Sequence, residues 1–251
     1  MITRKSEREV EGMRASGSLL AKTHKQLQTF IKAGITTMDI NNFVQEYVES
    51  HGGSLPQIGY QDYPYATCVS VNDEMCHGFP TDYVLKEGDL VKVDFCVDLR
   101  GFLSDSCWAY AVGKVNDEVK QLMEVTHHAL MLGISVAKPG YRTGDIGAIM
   151  DEYIQQFGYK MSLEFTGHGL GPTIHEAPMV PFTGVKGKGT LLREGMVITI
   201  EPIVNQSTHY AKLDKNGWTA RTDDGSLSCQ YEHTLAITAD EPDILTVYNE
   251  A

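Results

Sequence analysis

The strongest constraint in this sequence is that it repeats itself. Phe30-Ile-Lys-Ala-Gly-Ile-Thr-Thr-Met-Asp-Ile-Asn-Asn-Phe-Val-Gln-Glu-Tyr-Val48 returns at an offset of 106 as Val136-Ala-Lys-Pro-Gly-Tyr-Arg-Thr-Gly-Asp-Ile-Gly-Ala-Ile-Met-Asp-Glu-Tyr-Ile154. Lys32/Lys138, Gly34/Gly140, Thr37/Thr143, Asp39/Asp145, Ile40/Ile146, Glu46/Glu152 and Tyr47/Tyr153 are identical. A second block follows at an offset of 107, where Leu85-Lys-Glu-Gly-Asp-Leu-Val-Lys-Val-Asp94 matches Leu192-Arg-Glu-Gly-Met-Val-Ile-Thr-Ile-Glu201. One helix-start match is commonplace, but two blocks in the same order at nearly the same spacing point to a duplicated unit. Such a chain folds with an internal pseudo-twofold, helices outside an antiparallel-rich sheet, and a site at the seam between halves. Under that symmetry the partner of Asp94 is Glu201. A carboxylate is met by a carboxylate.

Each half reads as helices followed by strands. Val10, Met13, Leu20, Leu27, Phe30 and Ile31 recur at helical spacing within residues 6–32, and Gly34 follows where a helix stops. A second helix starts at Thr36-Thr37 with Ile40, Phe43, Val44, Tyr47 and Val48 on one face, and residues 116–137 are helical by the same pattern. Residues 91–106 form two β-type runs around a tight turn. With a two-residue loop at Leu99-Arg100, Asp94 faces Asp105 across the ladder, with Cβ atoms roughly 4.5–5.5 Å apart. Like charges so placed call for a cation between them.

Composition narrows the setting. Five cysteines, Cys68, Cys76, Cys96, Cys107 and Cys229, contain no C-x-x-C pair, and their odd number argues against a disulfide framework and for a reducing, cytoplasmic compartment. The N-terminal residues carry no apolar signal segment, and no apolar run has membrane-spanning length. A net charge of −12 disfavours adhesion to nucleic acid or anionic membranes, although clustered acids also serve as metal ligands.

Several motifs fail on inspection. Gly167, Gly169 and Gly171 around His168 lack dinucleotide spacing, and Pro172 sits where the helix would start. His175-Glu176 begins like a zincin motif, but Pro178 interrupts the required helix. Gly187-Lys188-Gly189-Thr190 misses the Walker pattern, and no G-x-S-x-G is present. What remains is an imidazole between glycines and single acids, Glu201 and Glu232, in otherwise apolar β runs. A buried lone acid is costly unless paired or metal-bound. Together they form an oxygen-rich cluster with one imidazole, suited to hard or borderline divalent ions.

His77-Gly-Phe-Pro, Asp94 with Asp105 eleven residues on, Gly-His168-Gly-Leu-Gly with His175-Glu-Ala-Pro, Ile200-Glu201-Pro and Gln-Tyr-Glu232-His-Thr together resemble the signature set of type I methionine aminopeptidases. The resemblance covers nearly the whole chain and is closest to the bacterial form without an N-terminal extension. It implies the α+β pita-bread fold and one catalytic domain over 1–251, made of pseudo-repeats at about 1–115 and 116–251. It implies removal of the initiator methionine from nascent proteins with a small second residue, by water activated between two divalent ions (Co, Mn, Fe, Ni or Zn). Asp94, Asp105, His168, Glu201 and Glu232 would be the ligands, with Asp105 and Glu232 bridging. Glu201 would also handle the water's proton, His175 would bind the carbonyl oxygen, and His77 would stand beside the scissile nitrogen. Tyr60, Tyr63, Cys68, Ile174 and Trp218 would line the methionine pocket. Asn72 and Ser228 match positions that hold a sodium or potassium ion in some relatives. A monomer acting on nascent N-termini, at the ribosome, is implied, with no membrane or specific nucleic-acid partner.

Gln57, Gln61 and Ile174 depart from the Cys, His and Phe common at their positions, which bears on pocket shape rather than on the reaction. Two rival readings stay open at this point. An X-Pro aminopeptidase or dipeptidase would share the fold and cage, but such relatives carry a further N-terminal domain that this sequence does not show. A non-catalytic binding protein on the scaffold would have lost ligands, whereas all five ligand positions are filled.

Overall fold

The computed structural model describes residues 2–247. The first half runs α1 (Glu7–Phe30), α2 (Thr37–Ser50), β1 (Cys68–Val71), β2 (Glu74–Cys76), β3 (Leu90–Leu99) and β4 (Phe102–Ala111). The second runs α3 (Asp117–Ser135), α4 (Thr143–Ile154), β5 (Lys160–Met161), β6 (Thr166–Gly169), β7 (Glu176–Pro181), β8 (Val197–Ile200), β9 (Ile203–Asn205), β10 (Ala211–Leu213), β11 (Ala220–Thr222), β12 (Ser228–Gln230), β13 (His233–Ala236) and β14 (Asp243–Ile244). The strands form sheets ordered β1-β3-β4, β10-β11-β2, β12-β9-β5 and β14-β13-β8-β6-β7. Every pairing among them is antiparallel. No described helix is long and apolar enough to cross a membrane.

The repeat reappears as repeated hydrogen bonds. Asp39 Oδ2 accepts the backbone N–H of Thr36 at 2.7 Å and caps α2, and Asp145 Oδ2 accepts that of Arg142 at 2.7 Å to cap α4. Thr36 bridges to Val84, and Arg142 to Leu191. Leu85 N–H donates to Ile35 O, and Leu192 N–H to Tyr141 O, both at 2.8 Å. Each half thus ties its helix start to the entry of its central strand, β3 or β8.

Strand alternation then sorts the side chains. Val91, Val93, Phe95 and Val97 of β3 are fully buried against Leu20 and Leu27 of α1 and Ile40 and Val44 of α2. Ile198 and Ile200 of β8 pack with Leu122 and Leu130 of α3 and Ile146 and Met150 of α4. Each such side chain contributes roughly 1.5–3 kcal/mol by leaving water. That burial fixes which face of each strand meets the helices. Asp94 and Glu201 are of the other parity, so both are turned to the inner side.

Candidate active site

The β3–β4 hairpin turns at Arg100-Gly101, not at Leu99-Arg100. Leu99 pairs with Phe102, Arg100 and Gly101 take φ of 60° and 84°, and Gly101 N–H donates to Asp98 Oδ1 at 2.7 Å. Positive φ at both central positions is the type I′ pattern, which glycine adopts freely and leucine does not. Asp94 therefore faces Cys107, and Asp105 faces Cys96. The shift is two residues, so it preserves the face: the aspartates are diagonal neighbours, roughly 7–8 Å apart between Cα atoms.

His168 is delivered by β6, where it stands between two glycines. A Cβ on Gly167 would lie 2.7 Å from Thr199 O, and one on Gly169 would lie 2.3 Å from Ala177 O, so only glycine lets the neighbouring strands close on both sides. His168 N–H donates to Thr199 Oγ1 at 3.0 Å, and its ring Nδ1–H donates to the Gly169 carbonyl at 3.0 Å. A carbonyl only accepts, so Nδ1 carries a proton, and Nε2 is the nitrogen turned to the acids. That nitrogen lies 3.5 Å from Glu201 Oε1 and 3.7 Å from Asp105 Oδ2.

Glu232 lies between β12 and β13, 2 % exposed, held by its N–H on Cys107 O at 2.8 Å and by Ser106 Oγ on its own carbonyl at 2.6 Å. Asp105 is clamped through Thr234, which accepts its N–H at 3.0 Å and donates to its carbonyl at 2.7 Å. Ligand atoms of Asp105, His168 and Glu232 all lie within 4.8 Å of one another. Asp105 Oδ1 and Glu232 Oε1 are buried without a hydrogen-bond partner among the described residues. Burial raises the Asp94 and Glu232 carboxyls well above their usual range, and the neighbouring Asp105 and Glu201 add to the shift. Burial drives Glu201 up to about 8, against the Thr199 hydroxyl that stabilises its anion. Buried acceptors with no donor and acids with no counter-charge fit a divalent cation.

A cavity of about 190 Å³ opens beside this cluster, and Asp94 and Asp105 belong to its wall. Tyr60, Tyr63, Cys68, Ile174 and Trp218 line the rest with His77 and His175, as do Gln57, Gln61 and Cys96. Tyr63 is pinned by its hydroxyl on Thr67 O at 3.0 Å and Gly78 O at 3.3 Å, and Trp218 meets it edge-on. His77 takes φ 55°, a left-handed conformation unusual outside glycine, and stands edge-on to Phe165 and Trp218. The His175 ring lies 4.3 Å from that of His168, and its Nδ1 meets Tyr60 OH at 2.8 Å. Burial, with His168 beside it, draws His175 down to about 4.

A model described as metallopeptidase family M24 matches residues 11–239. The chain belongs to family M24. It is 39% identical over 246 residues to methionine aminopeptidase 1 of Bacillus subtilis (strain 168), covering 98% of this chain and 99% of that protein. The crystal structure of methionine aminopeptidase from Rickettsia prowazekii superposes with a TM-score of 0.97 at 38% identity, over 98% of this chain and 100% of the other. A methionine aminopeptidase from Streptococci is 44% identical with a TM-score of 0.94, over 100% and 99% of the two chains. A prolidase from Pyrococcus furiosus, at 23% identity and TM-score 0.79, covers 98% of this chain but 66% of its own and shares the fold alone.

The fold of this M24 chain is therefore the α+β pita-bread fold. Two residues of its site escape a reading by ligand chemistry: Cys96, opposite Asp105, and Thr199, which joins His168 to Glu201. Both lie two positions from an acid on the same strand face, and that parity is the signal by which they could be found.

Proposed function

We propose that this chain is a metal-dependent methionine aminopeptidase that releases an N-terminal methionine when the second residue is small. The observation that carries the reading is the junction of two unlike surfaces. Asp105 Oδ1 and Glu232 Oε1, buried without partners, adjoin a largely apolar cavity of about 190 Å³. Asp94, Asp105, His168, Glu201 and Glu232 would hold two divalent ions of cobalt, manganese, iron, nickel or zinc. Such ions, when bound, activate water at neutral pH and polarise the peptide carbonyl.

The remaining roles belong to the chain. Tyr60, Tyr63, Cys68, Ile174 and Trp218 take the methionine side chain by shape and apolar contact. The free α-amine would complete the shell of the bound ions, which restricts cleavage to one residue from the end. Glu201 takes a proton and returns it, His175 donates to the oxygen of the scissile carbonyl, and His77 stands at the departing nitrogen. The reading extends to one catalytic unit over 1–251, working as a monomer on nascent N-termini at the ribosome. Five unpaired, buried cysteines support a cytoplasmic setting. The monovalent ion expected near Asn72 and Ser228 has a tethered counterpart here, since Lys92 Nζ donates to Asn72 O at 3.0 Å.

The test is peptide hydrolysis by the metal-loaded protein, with and without chelator, on Met-Ala-Ser, Met-Leu-Ser and Ala-Pro-Ala. Chelator-sensitive methionine release from the first alone supports the proposal. Release of alanine from the third points to X-Pro cleavage instead, and no release with any of the five metals overturns catalysis.

A further inference from the structure

One contact of the site joins two parts with separate duties. Tyr60 lines the side-chain cavity, and its hydroxyl lies 2.8 Å from Nδ1 of His175, the imidazole edge-on to His168. The segment presenting Tyr60 is unusual in its backbone. Gly59 has φ 83°, and Gln61 and Asp62, which carry side chains, have φ of 49° and 67°. The segment is held there by Gly59 N–H on Tyr63 O at 2.7 Å and Tyr63 N–H on Tyr60 O at 2.9 Å. Its flanks are anchored as well, by Gln57 Oε1 on Cys96 N–H at 3.0 Å and by Tyr63 OH on Thr67 O at 3.0 Å. Left-handed backbone at two successive non-glycine residues persists only where surrounding contacts over-determine it. Here the conformation places a phenol against an imidazole.

The direction of that hydrogen bond has a chemical consequence. Nδ1 of His175 is the hydrogen-bond partner found for the Tyr60 hydroxyl among the described residues. If the phenol donates, both groups are satisfied and the imidazole proton resides on Nε2. If Nδ1–H donated instead, the phenolic proton would lack a protein acceptor and Nε2 would be bare. A bare nitrogen cannot donate to an oxygen that gains negative charge.

We propose that Tyr60 is a positioning residue, whose hydroxyl holds His175 in the tautomer protonated on Nε2, so that the wall of the side-chain pocket sets the donor aimed at the scissile carbonyl. The inference rests on the reading of His175 as donor to that carbonyl. It makes the pocket more than a mould for methionine. The loop that senses the side chain also prepares the imidazole that meets the bond to be cut.

The deciding variant is Tyr60→Phe, which keeps the ring against the cavity and removes the hydroxyl. With Met-Ala-Ser, kcat is expected to fall about 10-fold while KM stays within about twofold, the size of one hydrogen bond acting through a reacting group. In a His175→Ala background the same substitution is expected to change nothing further, since its route of action is gone. Nitrogen-15 spectra of the imidazoles in the zinc-loaded protein supply a readout free of turnover. The native protein should show His175 protonated on Nε2 and accepting at Nδ1, and Tyr60→Phe should show a mixture of tautomers. Equal losses of kcat in both backgrounds, a rise in KM alone, or a native His175 protonated on Nδ1 would each overturn the proposal. If the native protein releases no methionine, the aminopeptidase reading fails, and the spectra still decide whether Tyr60 sets the tautomer.

Discussion

The hydroxyl of Thr199 donates to Glu201 Oε1 at 2.8 Å while accepting the backbone N–H of His168 at 3.0 Å. One fully buried side chain thus fixes the separation of an imidazole strand and a carboxylate strand. Thr199→Val keeps the shape and removes both bonds. Divalent-ion affinity is expected to fall by about 10- to 100-fold, the usual cost of losing a group that orients ligands. Calorimetric titration with manganese, beside an unchanged far-ultraviolet spectrum, checks it; unchanged affinity would show that Thr199 serves packing alone.

His175 approaches the cluster without joining its tight group of ligand atoms. His175→Ala is therefore expected to bind the same complement of metal as the native protein and to lose about 10²- to 10⁴-fold in turnover, as for a positioned proton-transfer or oxyanion group. Metal content after dialysis, measured beside kcat, separates the two roles. A variant that comes out short of metal would make His175 a ligand.

Burial raises the carboxyls of Asp94, Glu201 and Glu232, so a bound cation competes with protons for them. Metal binding at pH 7 is expected to release protons, and affinity to weaken as pH falls. Burial holds Glu201 at about 8, so its proton is still bound at neutral pH and is lost above that value. Calorimetry in two buffers of different ionisation enthalpy reads the number released. Zero release at pH 7 would mean that the acids are already ionised before metal arrives.

Away from the site, His24 is fully buried, stacked on Trp108 with ring centroids 4.8 Å apart, and its Nε2–H donates to Ser106 O at 3.2 Å. Burial lowers its pKa to about 3. Below pH 6.5 the unfolded chain binds a proton that the folded chain refuses until about 3. The contribution of His24 is thus neutral above 6.5 and destabilising as pH falls through that window, by about 1.4 kcal/mol per unit. Urea unfolding of the chelator-treated protein from pH 7 to 4 should show a steeper fall for the native chain than for His24→Gln. Parallel slopes would place the protonation elsewhere.

Lys92 is 1 % exposed, with its ammonium on the Asn72 carbonyl, which also accepts the Ser228 N–H at 3.1 Å. Asn72 itself is left-handed, at φ 53°, and so turns that carbonyl inward. Native melting temperature is expected to be the same in sodium, potassium and choline chloride. Lys92→Ala should lose about 2–4 kcal/mol and regain part of it with sodium or potassium but not choline. A native protein that itself responds to potassium would require a free ion at this corner.

Much of this molecule is legible without coordinates, because the governing interactions are local or periodic. Asp39 and Asp145 cap helices three residues after their N-caps, a relation confined to one turn. The alternation of Val93, Asp94 and Phe95 already separates a helix-facing side from an inner side. The hairpin register is the instructive failure. Both candidate loops are two residues long and both put Asp94 and Asp105 on one face, and the positive φ that Gly101 takes and Leu99 resists chooses between them.

The sequence by itself determined that two halves share one plan, that Asp94 and Glu201 hold equivalent places in it, and which side chains could bind a cation. Only the tertiary structure decided how those side chains meet: Asp105 diagonal to Asp94, Thr199 between His168 and Glu201, and Tyr60 on His175 across 115 positions of chain. The physical reason is range. Helix caps, strand parity and turn chemistry act within a few residues and leave a pattern in the sequence. A hydrogen bond between a loop phenol and a distant imidazole depends on the summed geometry of every strand and turn between them.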